Sequence, residues 1–281
     1  MSSSILHKSS GLKKEIICRN CSKLTKDGYC RKCKLFSFDT SIRGADDSQL
    51  LSEIDSKKMD RLSSGPWDPC FGPANGRDRD GIVPTTVTLL SGDRGCGKST
   101  LCLHMCDAIA GLTKKEALYI VTEQSKEELR LYADRLHLKN RARIRIMPAA
   151  GKDLDQCVRD YKPGIFILDS ISGYTENDIK ADVLVAKFFK EVSKKVFSPT
   201  IIINHVTKEG EAAGSNDLQH EVDTVLQMVA WEKETEEQPD IRELMTTSKN
   251  RFGKAFVSVK FEMVEGGLRY VELGEDDEDS E

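Results

Sequence analysis

The chain has 281 residues, of which 38% are hydrophobic and 31% charged, and its formal net charge is -4. This length suits one main folded domain with a small additional module, rather than two equal domains. No apolar run approaches the ~20 residues that a transmembrane helix requires, and the N-terminus lacks the apolar stretch of a secretory signal. We therefore expect a cytoplasmic protein that has no membrane partner.

The charges are unevenly distributed along the chain. The first 40 residues contain nine lysines or arginines against three acids, whereas six of the last eight residues are acidic. A basic segment suits a polyanionic partner such as a nucleic acid, and an ordinary solvated surface is the alternative interpretation. Charge alone leaves both interpretations open.

Four of the nine cysteines form two Cys-x-x-Cys pairs separated by eight residues. These are Cys18, Cys21, Cys30 and Cys33. The spacing is typical of a tetrahedral zinc ribbon, and zinc binding would drive the folding of so small a module. Redox chemistry at either pair is the alternative. We predict a basic N-terminus with a zinc ribbon (residues 1–34, ribbon 18–33) and a polar linker (35–60).

From residue 61 onward, apolar strand patterns alternate with helical patterns, which predicts an α/β fold with a mainly parallel sheet covered by helices. The predicted strands of this part are 87–90, 117–121, 143–147, 164–168 and 200–204. The predicted helices run from the glycine-rich loop to Gly111, from Ser125 to about His137, from 153 to 161 and from 182 to 196. Strands at 224–229, 243–248, 256–261 and 268–272 predict an antiparallel C-terminal extension. The core spans 61–273, and an acidic tail follows at 274–281.

The strongest motif is G-x-x-x-x-G-K-[ST] between a predicted strand and a predicted helix, which is typical of a P-loop. Its glycines let backbone N–H groups converge on phosphate oxygens, while Lys98 reaches the outer phosphates and Ser99 offers a hydroxyl to Mg²⁺. We predict that this loop binds ATP. Its residues are Gly92, Asp93, Arg94, Gly95, Cys96, Gly97, Lys98, Ser99 and Thr100.

Two carboxylates follow predicted strands at the places where a P-loop protein needs them. Asp169 ends an apolar strand and is the candidate for a second Mg²⁺ contact, with a helix N-cap as the alternative. Glu123 ends the strand after the P-loop helix, so we expect it beside the phosphates. There it would orient and deprotonate the attacking water; an ordinary acid at a helix start is the alternative.

A four-cysteine module, the P-loop and the sequence Lys-Asn-Arg-Phe-Gly at 249–253 follow one another along the chain. Taken in this order, they resemble the RadA (Sms) family of RecA-like DNA repair ATPases. Residues 61–65, 81–84, 119–125, 205–210 and 222–226 also resemble that family. The resemblance spans roughly residues 16–272, and its most diagnostic element is the five-residue motif.

The resemblance implies an ATP site shared between subunits, with Lys249 and Arg251 reaching the γ-phosphate of a neighbour. From the residues alone, a solvated pair of cations is the alternative. Asn204 and His205 would sense the γ-phosphate. The segment 208–219 would be a DNA-binding loop in which Lys208 contacts phosphates without reading sequence.

The resemblance further implies a DNA-dependent ATPase that uses ATP, Mg²⁺ and Zn²⁺ and acts on single-stranded DNA and recombination intermediates. It would work as a homo-oligomeric ring, with a RecA-type recombinase as a further partner. The family carries a Lon-protease-like domain beyond the core, whereas this sequence continues past Leu273 only with the acidic tail, which leaves ring assembly and full branch migration open. Two other functions stay open. One is an ATP-switched DNA- or protein-binding module with little turnover, and the other is a replicative-helicase-like or KaiC-like ATPase.

Overall fold

The computed structural model describes residues 59–74, 77–149, 162–205, 216–233 and 235–271, together with the backbone of four two-residue strands nearer the N-terminus. The chain divides into two compact units, residues 1–48 and residues 49–281.

The first unit contains two short antiparallel strand pairs. Its strands are β1 (Ile16–Ile17), β2 (Leu24–Thr25), β3 (Tyr29–Cys30) and β4 (Leu35–Phe36), and β1 pairs with β2 while β3 pairs with β4. The side chains of the four predicted zinc ligands lie outside the described residues, so the zinc ribbon stays a prediction. Among the residues that are described, no group of three or more His, Cys, Asp or Glu side chains could hold a metal ion.

The second unit is built on a nine-stranded sheet. A short antiparallel pair precedes it, formed by β5 (Pro73–Ala74) and β6 (Arg77–Asp80). The sheet strands are β7 (Val87–Gly92), β8 (Ala117–Val121), β9 (Ile144–Pro148), β10 (Ile165–Asp169), β11 (Thr200–Ile203), β12 (Thr224–Ala230), β13 (Ile241–Asn250), β14 (Ser258–Val264) and β15 (Gly267–Tyr270). Their order is β15-β14-β13-β12-β7-β11-β10-β8-β9. Strands β7 to β12 are mutually parallel, and β13 to β15 extend the sheet in antiparallel fashion. The prediction that the antiparallel extension includes the strand at 224–229 is wrong, because β12 pairs parallel to β7.

Five α-helices of this unit lie within the described residues. They are α1 (Lys98–Thr113), α2 (Lys126–Arg135), α3 (Ile171–Thr175), α4 (Ile179–Val196) and α5 (Asn216–Glu221). Ser125 and Glu128 form the predicted capping box at the start of α2, with reciprocal side-chain to backbone hydrogen bonds. Asp178 is the N-cap of α4, and its side chain accepts hydrogen bonds from two backbone N–H groups.

The prediction that Gly111 ends the first helix is wrong, because α1 continues to Thr113 and Lys114 adopts the left-handed C-cap conformation. Gly111 has a packing role instead: a Cβ added there would lie 2.6 Å from Nδ2 of Asn140. That amide donates a hydrogen bond to the backbone carbonyl of Asp107 on α1. The helix predicted at 153–161 lies outside the described residues.

The core lies between the helices and the central parallel strands. Every residue of β7, β8 and β11 is buried, as expected for parallel strands covered on both faces. Tyr119, Phe166 and Phe189 are among the largest fully buried side chains. In the part of the chain that the structure describes, no helix is both long and apolar enough to cross a membrane.

Candidate active site

The glycine-rich turn after β7 has a backbone that only glycine adopts easily. Gly95 and Gly97 have φ values of +81° and +107°, a region that L side chains rarely occupy. An added Cβ at Gly95 would meet nothing within 4 Å, so the turn leaves open space at this point. At Gly92, the Cβ would lie 2.2 Å from the backbone oxygen of Met228 on β12. The turn therefore packs against the sheet on one side and faces open space on the other, which suits a phosphate-binding loop.

Lys98 begins α1 and is almost fully buried. Its Nζ donates hydrogen bonds to the backbone oxygens of Gly92 (2.7 Å) and Asp93 (2.6 Å). Cys96 lies beneath the turn, with Sγ 3.7 Å from the same ammonium group. Burial raises the pKa of the Cys96 thiol more than nearby Lys98 lowers it, which favours a packing role over a reactive thiolate.

The two predicted magnesium contacts meet at the C-terminal end of β10. Ser99 Oγ and Tyr119 Oη each donate a 2.7 Å hydrogen bond to Oδ2 of Asp169. Burial, and next the charge of Asp169, hold the pKa of Tyr119 well above its usual value, so the phenol is a donor. A hydroxyl beside a carboxylate supplies the hard oxygen ligands that Mg²⁺ prefers, and these residues therefore fit the ion.

Glu123 follows β8 and points toward the ends of two neighbouring strands. Its Oε1 accepts a 2.7 Å hydrogen bond from Ser170 Oγ and lies 3.6 Å from Nε2 of His205. Burial first, and then the positive charge of Lys98, lower the pKa of His205, so the imidazole favours its neutral form. Asn204 precedes this histidine, is buried, and accepts a hydrogen bond from its backbone N–H through Oδ1.

These groups gather at the carboxyl ends of the parallel strands. Gly92 ends β7, Asp169 ends β10, and Glu123 and His205 lie within two residues of the ends of β8 and β11. In an open α/β sheet, ligands bind at this edge. Glu123 thus lies at the carboxyl edge of the sheet, where we expected it, and the roles of these residues stay predictions.

Lys249 and Arg251 lie at the other end of the sheet. β13 runs antiparallel to β12, and Asn250 at its end pairs with Thr224. Thr224 pairs on its other side with Thr88, near the start of β7. The phosphate-binding turn begins four residues later, at Gly92. Four strand residues span about 13 Å, and the nucleotide would lie beyond them. The two cations are thus far from the P-loop of their own chain.

Both cations have partners within the same subunit. Lys249 Nζ donates to the backbone oxygens of Gln219 (2.6 Å) and His220 (2.8 Å) at the end of α5. Burial, followed by neighbouring cations, lowers the pKa of Lys249. Arg251 forms a 2.9 Å ion pair with Asp223, whose other oxygen accepts a hydrogen bond from the N–H of Val87. Lys249 therefore stabilises a helix end and Arg251 compensates a buried acid.

Part of the predicted DNA-binding loop can also be located. Lys208 lies outside the described residues, so its role stays a prediction. Residues 216–219, which we expected to belong to a loop, form the start of α5. Tyr119, Ser170 and Asp223 were missed by the sequence reasoning. Each is a polar residue within, or directly beside, an apolar strand, and that position is the signal that could have indicated them.

Comparisons with known proteins agree with this arrangement. Residues 73–211 match a protein family described as an AAA domain. The DNA repair protein RadA of Halalkalibacterium halodurans is 31% identical over 242 residues, and that of Bacillus subtilis is 32% identical over 242 residues. Each alignment covers 84% of this chain and 50% of the relative, so the chain spans about half the length of these curated relatives.

Solved structures show the same fold at low sequence identity. A KaiC-like protein from Pyrococcus horikoshii OT3 has a TM-score of 0.55 at 15% identity, covering 69% of this chain and 92% of that one. A RadB recombinase has a TM-score of 0.55 at 21% identity, covering 75% of this chain and all of that one. These structures show a RecA-like fold, and the aligned relatives show that the chain belongs to the RadA family.

Proposed function

We propose that this protein hydrolyses ATP at its P-loop, in a reaction that single-stranded DNA stimulates, and that it acts on DNA intermediates of recombination and repair. The observation that carries this proposal is the contact between Ser99 Oγ and Asp169 Oδ2 at 2.7 Å, with Lys98 beside it on the same turn of α1. These are the groups that P-loop NTPases use to hold the outer phosphates and the metal ion.

Each group in the site has a role in this proposal. Lys98 stabilises the negative charge on the outer phosphates. Ser99 and Asp169 would hold Mg²⁺, which neutralises phosphate charge when it is bound. Glu123 orients the attacking water and accepts its proton. His205, neutral and next to Glu123, reports whether a γ-phosphate is present.

The position of Lys249 and Arg251 favours a site that is completed by a second copy of the chain. Because both lie at the opposite end of the sheet from the P-loop, neither can reach a nucleotide on its own subunit. In a head-to-tail assembly, one subunit presents this end to the nucleotide edge of the next. Arg251 would then stabilise charge on the transferring phosphoryl group, as an arginine finger does.

The DNA-binding part of the proposal rests on the described residues that flank segment 206–215. His205 precedes this segment at the nucleotide edge, and α5, whose C-terminal carbonyls bind Lys249, follows it. Lys208 would contact a phosphate of the strand. The relatives in the comparisons are named DNA repair proteins, and the basic N-terminal segment, with zinc held by Cys18, Cys21, Cys30 and Cys33, would add a second polyanion contact.

ATP hydrolysis by the purified protein, with and without single-stranded DNA, tests the proposal, with Lys98→Ala as the blank. We expect turnover that rises with DNA and disappears in the variant. A response at blank level with and without DNA would contradict the enzyme and would favour the ATP-switched binding module. The contacts of Lys249 with the end of α5 and of Arg251 with Asp223 favour that second function. A subunit that keeps both contacts would bind ATP without hydrolysing it.

A further inference from the structure

Ser170 directly follows Asp169 at the end of β10, and its side chain is buried. Its hydroxyl has three hydrogen-bond neighbours: Oε1 of Glu123 at 2.7 Å, the backbone N–H of Gly173 at 3.2 Å, and Oγ of Ser172 at 2.9 Å. These three contacts match the whole capacity of a hydroxyl group, which has one proton and two lone pairs.

The three contacts allow only one arrangement of protons. A backbone N–H can only donate, so Gly173 occupies one lone pair of Ser170. A carboxylate can only accept, so the proton of Ser170 points to Glu123. Ser172 must therefore donate its own proton to the remaining lone pair. The hydroxyl of Ser170 cannot rotate without breaking one of these bonds, and it holds Oε1 of Glu123 in a fixed direction.

Thr122 strengthens the same link from the strand that carries Glu123. Its Oγ1 accepts a 2.8 Å hydrogen bond from the N–H of Ser170, and its backbone N–H donates to the carbonyl of Asp169 at 2.9 Å. The hydroxyl of Thr122 donates in turn to the backbone carbonyl of Asp169 (3.1 Å) or of Ser170 (3.2 Å), so several hydrogen bonds join the ends of β8 and β10. As a result, the backbone at Asp169 and the carboxylate of Glu123 are held relative to each other.

Gly173 is close enough to the link that a side chain would disturb it. A Cβ added there would lie 2.3 Å from Oγ1 of Thr122 and 2.9 Å from Cγ of Glu123. The φ angle of Gly173 is not in the left-handed region, so this glycine is needed for space rather than for backbone conformation. The close packing leaves no room for a side chain between this turn and Glu123.

We propose that Ser170 is a positioning residue, which fixes one oxygen of Glu123 so that the other oxygen, Oε2, faces the attacking water. This inference rests on the proposed ATP hydrolysis and adds the residue that orients its base. Ser170 also caps the N-terminus of α3 through its bond to Gly173, and a purely structural role is the competing explanation.

Steady-state kinetics separates the two explanations. In Ser170→Ala we expect kcat to fall by roughly 10- to 100-fold, because small misplacements of a catalytic group cost about this much. The KM for ATP should stay the same, since Ser170 contacts Glu123 rather than the phosphate-binding turn. Ser172→Ala, the matched control two residues away, leaves the Ser170–Glu123 bond in place and should lower kcat less.

A double-mutant cycle with Glu123→Gln gives the decisive comparison. If Ser170 acts through Glu123, adding Ser170→Ala to Glu123→Gln should leave the residual rate unchanged. An equal fold-decrease in both backgrounds would mean that Ser170 acts on stability alone, and it would overturn the proposal. Thermal unfolding of each variant, and its binding of a non-hydrolysable ATP analogue, show whether the fold and the nucleotide site are intact.

A second measurement does not depend on turnover. We would determine crystal structures of the wild type and Ser170→Ala with Mg²⁺ and a non-hydrolysable ATP analogue. In the wild type, we expect Oε1 of Glu123 to accept the hydrogen bond from Ser170 Oγ. In the variant, we expect the carboxylate of Glu123 to have turned away from this position. An unmoved carboxylate would overturn the positioning role, whatever the rate. An inactive wild type with this expected movement would count against the proposed hydrolysis and not against the link between the two residues.

Discussion

The two ends of the parallel strands differ in how their charged groups are used. At the carboxyl end, the polar groups contact one another: Ser99 and Tyr119 both reach Asp169. At the opposite end, the described contacts of Lys249 and Arg251 are with groups that serve the fold, among them the buried Asp223.

This difference is what the proposed site, divided between two subunits, would require. The carboxyl end would bind the nucleotide and the attacking water with groups that already contact one another. The cations at the opposite end would exchange their present partners for a phosphate on another subunit. ATP binding would then need one subunit, and full ATP turnover would need two adjacent subunits.

The largest effect should come from Lys98→Ala, which removes the cation at the nucleotide edge itself. Loss of one well-placed group that stabilises developing charge costs at least about 100-fold in rate. We expect hydrolysis to fall to the level of the buffer blank. Lys195→Ala, an exposed lysine on α4, is the matched control and should keep the wild-type rate. Normal turnover in Lys98→Ala would contradict the assignment of this edge as the nucleotide site.

Arg251→Ala should give the next largest effect, since arginine fingers contribute about 10³-fold or more to turnover. ATP-analogue binding should be retained, because Arg251 lies far from the P-loop of its own chain. The variant also removes the 2.9 Å partner of Asp223, which keeps the ammonium group of Lys190 at 3.8 Å, so we expect a loss of about 1 kcal/mol of unfolding free energy.

A second variant separates these two consequences of losing Arg251. Combining Arg251→Ala with Asp223→Asn removes the buried charge as well, so we expect stability to recover while turnover stays low. If turnover recovered together with stability, Arg251 would be a structural residue only, and the divided site would lose its main support.

Gly72→Ala should weaken the turn that carries Arg251 without touching the nucleotide edge. Gly72 has φ +88°, and a Cβ there would lie 2.4 Å from Cα of Gly253. Left-handed backbone and the clash together should lower the unfolding free energy by about 2–3 kcal/mol. Gly266→Ala is the control, because an added Cβ meets nothing within 4 Å there. Urea unfolding of both variants measures the difference, and equal midpoints would contradict this packing.

The smallest effect concerns pH at the nucleotide edge. The pKa of His205 is lowered by burial and then by Lys98, so the folded protein favours the neutral imidazole. The neutral imidazole therefore contributes to the unfolding free energy. This contribution is fully present above the pKa of about 6.5 that the histidine has in the unfolded chain, and it is lost as pH falls through the lower pKa of the folded protein. The unfolding free energy of the wild type should therefore decrease more between pH 7.5 and 5.5 than that of His205→Gln. If the unfolding free energies of the two proteins decreased equally, burial and Lys98 would not be lowering the pKa of His205.

Much of the fold could be predicted because the signals are local. The all-apolar segments of β8 and β10 and the capping box at Ser125 and Glu128 depend on neighbours within a few residues. The P-loop is similar, since its glycines and Lys98 form one continuous motif. The carboxyl-edge location of Glu123 and Asp169 followed from the parallel order of the strands.

Other features could not be predicted because their causes are distant in sequence. Gly111 continues a helix since Asn140, from another segment, packs against it. The partners of Arg251 and Lys249 lie about 30 residues earlier, and nothing in the motif itself indicates them. Ser170 holds Glu123 from a different strand, so the link exists only once β8 and β10 are adjacent.

Mixing two inactive variants tests the divided site most directly. Lys98→Ala keeps Arg251 but cannot hydrolyse ATP, whereas Arg251→Ala keeps its P-loop but cannot complete a neighbour's site. If the site is shared head to tail, equal mixing with single-stranded DNA should restore about a quarter of the wild-type rate, since about that fraction of random interfaces pairs an intact P-loop with an intact arginine. Activity that stays at the sum of the two separate variants would contradict the account, because it would mean that each chain works, or fails, alone.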